Sequence, residues 1–206
     1  RARIDSNSRI SLSNNDSGNN NTIFGYGAGS SLDAGSNNNT FIGHNVSDAS
    51  MNDATDNTSV GYASLSGLTS GDKNTALGAE ASNSISSGDE NVSVGFQALD
   101  ANSTGGSNVA VGASAAGAFI GSYAVAIGRE ALRDANHASD ADGTVAIGTG
   151  SLAALTSGIG NVAIGYQALD AEDDGDYNTA VGYQALTAQT GVSGHVANTA
   201  IGYQAG

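Results

Sequence analysis

The densest group of potential metal ligands in the chain is Asp170, Glu172, Asp173, Asp174 and Asp176, with Gly175 among them. Asp170, Glu172, Asp174 and Gly175 match the first, third, fifth and sixth positions of a calcium loop. The final position of that loop needs a bidentate glutamate, and Val181 stands there, so an EF-hand is ruled out. What remains is a loose, weak Ca²⁺ site through Asp170, Glu172 and Asp174, weighed against the plainer reading of a solvated acidic loop. The histidines His44, His137 and His195 show no ligand spacing, which argues against zinc.

Aromatic side chains form a second candidate set. Tyr26, Tyr62, Phe96, Tyr166, Tyr183 and Tyr203 each follow a recurrent glycine directly, and His44 takes the same position. Such rings could stack on sugars, or they could pack on one another along an edge. A glycan-cleaving site would need two carboxylates facing each other across a groove. The acids here fall in loops, tryptophan is absent, and no Ser/His/Asp set recurs, so neither an enzyme nor a cofactor is expected. Receptor contacts are expected on the longest insertions, 133–143 and 187–196, because loops carry binding while scaffolds hold them. The residues singled out are Asp134, His137, Asp140 and His195, together with Tyr166 and Tyr183.

A repeat must position these groups. Eleven glycines (Gly25, Gly43, Gly61, Gly78, Gly95, Gly112, Gly128, Gly148, Gly165, Gly182 and Gly202) recur every 16 to 20 residues. Regularity of this kind signals one supersecondary unit stacked many times. A large apolar residue precedes every glycine, from Phe24 to Ile201, and Thr or Val stands three before it. Between them lies Ile23, Phe41, and then only Ala or Ser. Large, small, large is the alternation of a short half-buried strand, and the large columns are expected to form the core. After the glycine, a small residue three further on, often followed by Leu, suggests a second short strand or corner packed beneath the first. Asn four before the glycine suits an αL corner and a ladder from coil to coil, with Ala124 and Thr144 interrupting the row. The glycine marks a bend that needs positive φ or has no room for a Cβ. The expected fold is all-β: a parallel β-solenoid of about eleven 16–20-residue coils, a rod of roughly 50 Å at about 4.8 Å per coil.

The formal charge is −14, with 20 acidic residues against 6 basic ones. Such a surface repels phosphate backbones and anionic headgroups, which argues against nucleic acid or membrane partners. Cysteine is absent, and no apolar run reaches the roughly 18–20 residues of a membrane span. Residues 1–16 read as a lead-in holding three of the five arginines, and 17–206 as one elongated repeat domain. The ends read as cuts in a longer protein. Three large apolar side chains per coil, roughly 5–8 kcal/mol of burial, fall short of the ordering entropy of some 17 residues. Side-by-side packing of several chains is therefore expected.

Asn161-Val162-Ala163-Ile164-Gly165, Asn198-Thr199-Ala200-Ile201-Gly202 and Ala124-Val125-Ala126-Ile127-Gly128 resemble the head repeats of YadA-like trimeric autotransporter adhesins. The Gly-Tyr-Gln-Ala-Leu variant, with the lead-in Arg9 to Gly18, is similar to repeats of bacteriophage tail fibres. The resemblance spans Asn21 to Ala205, although these coils are longer than the adhesin repeat. It implies a left-handed β-roll, a homotrimeric rod, an extracellular place on a virion tail fibre or bacterial surface, and attachment to a receptor, such as a glycan. The alternatives are a passive shaft whose tip lies elsewhere, a glycan-cleaving spike, or an ice-binding solenoid suggested by Thr22, Thr40, Thr58 and Thr75. The last is disfavoured by the expectation that this column faces the core.

Overall fold

The computed structural model describes residues 3–4, 10–11, 18–134, 141–190 and 194–206. Among these, eleven three-residue strands, from Thr22–Phe24 to Thr199–Ile201, form one parallel sheet in chain order. Each strand pairs with the equivalent strand of the next coil, residue for residue: Val145 with Val162, Ala146 with Ala163, Ile147 with Ile164. The fold is a parallel β-solenoid. In the lead-in, Arg3–Ile4 pairs antiparallel with Ile10–Ser11.

The strand columns face opposite ways from the sequence expectation. The middle residue points inward: Phe41, Ser59, Ala76, Ala110, Ala126, Ala146, Ala163 and Ala180 are all buried. The large residue before the glycine points outward instead. Phe24 is 62% exposed, Leu77 49% and Ile127 38%, and the Val members of the column are half-buried. The Thr/Val column shares that outer face. The reason is volume. Neighbouring strand residues must face opposite sides, and a coil of some 17 residues is too thin to hold a large side chain from both of its walls.

The opposite wall supplies the large residues. Four after the glycine stand Leu65, Leu99, Leu132, Leu152 and Leu169, all buried, and a further row adds Leu68, Ile85, Phe119 and Leu155. The two walls compensate. Where the strand supplies Ile23 or Phe41, the facing position shrinks to Gly29 or Ser47, and a Cβ on Gly29 would press on both Ile23 and Phe41. Where the strand supplies Ala, the facing position is usually Leu. Close packing demands such conserved volume.

That wall is a turn rather than a second strand. Backbone φ is positive at the second and fourth residues after the glycine, as at Gln97 (52°) and Leu99 (53°), or Gln167 (50°) and Leu169 (52°). This alternation points successive N–H groups to opposite neighbours. Gln97 N–H donates back to Ala79 O (3.1 Å), whereas Leu99 N–H donates forward to Ala115 O (2.9 Å). Left-handed backbone at a non-glycine residue costs about 1–3 kcal/mol. The hydrogen bonds to both adjacent coils over-determine it.

The recurrent glycine needs both freedoms. At Gly95, φ is 136° and a Cβ would lie 2.6 Å from Gly112 O in the next coil. The asparagines before the strands ladder as expected, although αL geometry belongs to the residue preceding each one, such as Asn38, Asp56 and Lys73. Asn57 Nδ2 donates to Asn39 Oδ1 (3.1 Å) and to Gly71 O (2.8 Å), and Asn57 N–H donates to Asn39 Oδ1 (2.9 Å). The row continues through Asn74, Asn91 and Asn108 and resumes from Asn161. At the break, Thr144 Oγ1 is buried without a hydrogen-bond partner. Replacing both interruptions (A124N with T144N) should join the two segments. A gain of about 1 kcal/mol is expected in denaturant unfolding, the net worth of a buried hydrogen bond; a loss would mean that the break relieves strain.

Candidate functional site

The aromatic residues after the glycine lie at the corner where the strand gives way to the turn, so equivalent rings meet at the coil spacing. Tyr166 and Tyr183 stack with centroids 5.2 Å apart and 14° between planes, and Tyr183 stacks on Tyr203 at 5.3 Å. At the other end of the rod, His44 sits between Tyr26 (5.4 Å) and Tyr62 (5.5 Å). Tyr26, His44, Tyr62, Tyr166, Tyr183 and Tyr203 thus pack on one another, whereas Phe96 has Ala79 and Ala113 as its column neighbours. Both faces of Tyr183 are covered by neighbouring rings, leaving edges and hydroxyls to solvent, whereas sugar stacking would need an open face.

The acidic turn differs from the solvated loop of the sequence reading. Glu172 is fully buried. It stands where other coils place Leu68, Ile85, Phe119 or Leu155, in the core-filling row. Its Oε1 accepts hydrogen bonds from Gly175 N–H (2.7 Å) and Asp174 N–H (3.2 Å), and Oε2 accepts from Gln189 Nε2 (2.6 Å). Asn102 Oδ1 plays the same part in an earlier coil, accepting from Gly105 N–H at 2.7 Å. The carboxylate therefore closes a turn. Ligand oxygens of Glu172, Asp173 and Asp174 lie within 4.8 Å of one another. Asp170 is not part of that group; its Oδ1 accepts from Thr187 Oγ1 at 2.6 Å. Asp174 Oδ1 is buried without a hydrogen-bond partner. Burial, followed by the charges of Asp173, Glu172 and Asp176, raises the Asp174 pKa above the ordinary carboxylate value.

Of the other expected contact residues, Asp134 and His195 are described, and they lie in different coils. Asp134 is held by Arg133 in a two-pronged pair (Nε–Oδ1 2.8 Å, Nη2–Oδ2 2.7 Å), and the Arg133 hydrogen bond keeps its carboxyl below the usual range. Arg133 also reaches Glu130 at 3.3 Å. His137 and Asp140 lie outside the described residues. His195 is exposed, with its ring centroid 5.1 Å from that of Tyr177. The structure brings Tyr166 and Tyr183 together; the contacts of Asp134 are to Arg133 and the ring contact of His195 is to Tyr177, so neither joins that pair.

Two features escaped the sequence reading. The first is the outer strand face. From the ladder asparagine to the glycine, no coil carries a charged residue, while Ile, Val, Leu and Phe stand exposed or half-buried along it. The signal was present in the alternation, but its sense was reversed. The second is a ladder of short polar residues six before the glycine. Thr55 N–H donates to Asp72 Oδ1 (2.7 Å), Asp72 N–H to Asp89 Oδ1 (2.8 Å), Gly106 N–H to Ser122 Oγ (3.0 Å) and Ser122 N–H to Asp142 Oδ1 (2.7 Å). The run of Asn, Thr, Asp and Ser in that column was its visible trace.

Two outcomes are expected from these contacts. Tyr183→Ala should lower the melting temperature, because it removes two ring pairs worth about 0.5–1.5 kcal/mol each; an unchanged melt would show the stack to be energetically idle. Asp174→Asn should raise the melting temperature at pH 7. An acid whose folded pKa is raised destabilises the fold above that pKa and ceases to do so once protonated. The difference should therefore shrink as pH falls through the raised titration of Asp174. A difference independent of pH would exclude charge as its cause.

Among the described residues no helix is long and apolar enough to cross a membrane. No known family, curated protein or solved structure matches this chain.

Proposed function

We propose that the chain is a structural and attachment module of an extracellular surface fibre, a phage tail fibre or bacterial adhesin head, in which three parallel copies pack through their outer strand faces. The observation that carries this reading is the distribution of charge. Eleven stacked strands present an uncharged, apolar outer side, while the acidic residues of a chain with net charge −14 lie elsewhere. Rods of like charge repel one another across the sides that carry those acids. The uncharged strand face lets identical rods approach, and each large aliphatic side chain it buries is worth up to about 1.5–3 kcal/mol. A contiguous exposed apolar patch of this extent is a mark of an interaction surface.

Three weak receptor contacts on one rigid axis add through effective concentration, so a trimeric rod suits attachment without a catalytic centre. The outward Thr/Val column also satisfies the geometry that an ice-contacting surface requires, which the sequence reading denied it. The hydroxyl row is broken by Val92 to Val162, however, and runs beside the Phe, Ile, Val and Leu column. Contact with a second apolar surface is favoured over contact with ice.

The test is solution mass by light scattering behind size exclusion. A mass near three times 20.2 kDa with the early elution of a rod is expected. The double variant I127E/I164E, charged on the outer face and outside the coil core, should shift the mass to one chain while retaining the β-sheet signal. A stable wild-type monomer would overturn the trimer.

A further inference from the structure

The polar ladder borders a groove of about 340 Å³ on the side of the rod that precedes the strands. Four successive coils line it, contributing Asp72, Asp89, Glu90, Ser107, Ser122 and Tyr123 in turn. At about 4.8 Å per coil the groove runs for roughly 15 Å, and its volume falls within the usual range of small-ligand sites.

Three observations give it a chemical character. First, Asp72 and Asp89 each commit Oδ1 to an N–H of the preceding coil, Asp72 also accepting from Thr55 Oγ1 at 3.0 Å. The carboxyl groups are thereby oriented, and Oδ2 of each has no hydrogen bond among the described residues. Second, the one cation of the groove is engaged: Lys73 Nζ lies 3.5 Å from Glu90. Third, Tyr123 is 68% exposed, and among the described residues it is the one tyrosine whose ring pairs with no other ring. Its backbone is left-handed (φ 61°), and its neighbours in the column are Ser107 and Gly143. Neither of these two column neighbours carries a ring that could cover it as Tyr203 covers Tyr183.

We propose that this groove binds a neutral saccharide, with one sugar ring seated on the uncovered face of Tyr123 and its hydroxyls donating to Asp72 and Asp89. An open aromatic face packs well against C–H groups, and hydroxyl-to-carboxylate hydrogen bonds are about twice as strong as neutral ones. The surplus of acids disfavours sialylated or sulfated glycans through like charge. The ordered row of acceptors at the coil spacing suits a short linear oligosaccharide lying along the rod. The assignment rests on the attachment reading and names a ligand class and a place for it.

The experiment is a saturation-transfer NMR titration of the full chain with neutral hexose and N-acetylhexosamine trisaccharides, each also tested with a sialic acid cap. At least one neutral trisaccharide should bind, and its capped form should bind more weakly. Tyr123→Ala should weaken binding by about tenfold, and Tyr123→Phe, which keeps the ring face, by about twofold or less. Asp89→Asn keeps the Oδ1 acceptor for Asp72 N–H and should also weaken binding, at unchanged melting temperature and mass. Binding undiminished in both Y123A and D89N, or a preference for the capped sugars, would overturn the groove. Labelled rods that adhere to cells but bind no neutral trisaccharide would sink the groove and leave the attachment reading standing. Rods that bind these sugars through Tyr123 but adhere to no cell surface would support the groove and sink the attachment reading.

Discussion

Among the described residues, each coil between the two ends hydrogen-bonds to the coil before it and the coil after it at one fixed spacing, in its strand and around its turns. The three-residue strands satisfy this through parallel pairing, but they make up a small part of each turn. The rest is satisfied by a backbone that alternates in and out of the left-handed region after every glycine, so that Gln97 reaches back to Ala79 while Leu99 reaches forward to Ala115. A buried N–H without a partner costs on the order of 1–3 kcal/mol, comparable to the strain of a left-handed residue. The chain accepts the strain because each such residue secures a bond.

That constraint explains the sequence repeat better than the core does. Equivalent residues lie directly over one another, so any side chain that packs on its equivalent, or accepts from the backbone N–H or side chain of its equivalent in an adjacent coil, propagates as a column. The asparagine ladder, the Asp72–Asp89 row and the tyrosine stacks are three versions of the same effect, with amides, carboxylates and rings as the repeated element. The invariant glycine follows likewise: a side chain at Gly95 would occupy the space of Gly112 O. The core is more tolerant. Phe41 against Ser47, and Ala163 against Leu169, fill similar volumes by different means, and one position admits a buried glutamate when a turn needs an acceptor.

The inward direction of the small strand residue has the largest consequence for function. After the first two coils, where the strand supplies Ile23 and Phe41, the coil interior is filled by Leu, Ile and Phe from the turn wall, the strand wall contributes only Ala or Ser, and its large residues are displaced to the outside. The result is an apolar surface free of charge on a strongly acidic rod. Such a surface is the basis for assembly in the proposed reading. The polar groove on the adjoining side lies outside it, so assembly and ligand binding need not compete for the same residues.

Strand positions, the parallel stacking, the corner glycine and the asparagine ladder were legible in the sequence, because each is a local pattern repeated at a constant interval and depends only on a neighbour of the same kind. Whether Ile164 or Ala163 faces the core was not. Alternation defines two faces and does not label them, and the label depended on how much volume Leu169 brought from the other side of the coil. Glu172 was misread for a similar reason: among four other acids it resembled a solvated loop, and only its depth in the turn made it a buried acceptor. The periodicity of the chain determined the solenoid. Which side of each strand met water, and which rings were left uncovered, was decided by packing across the coil, between residues that share no local pattern.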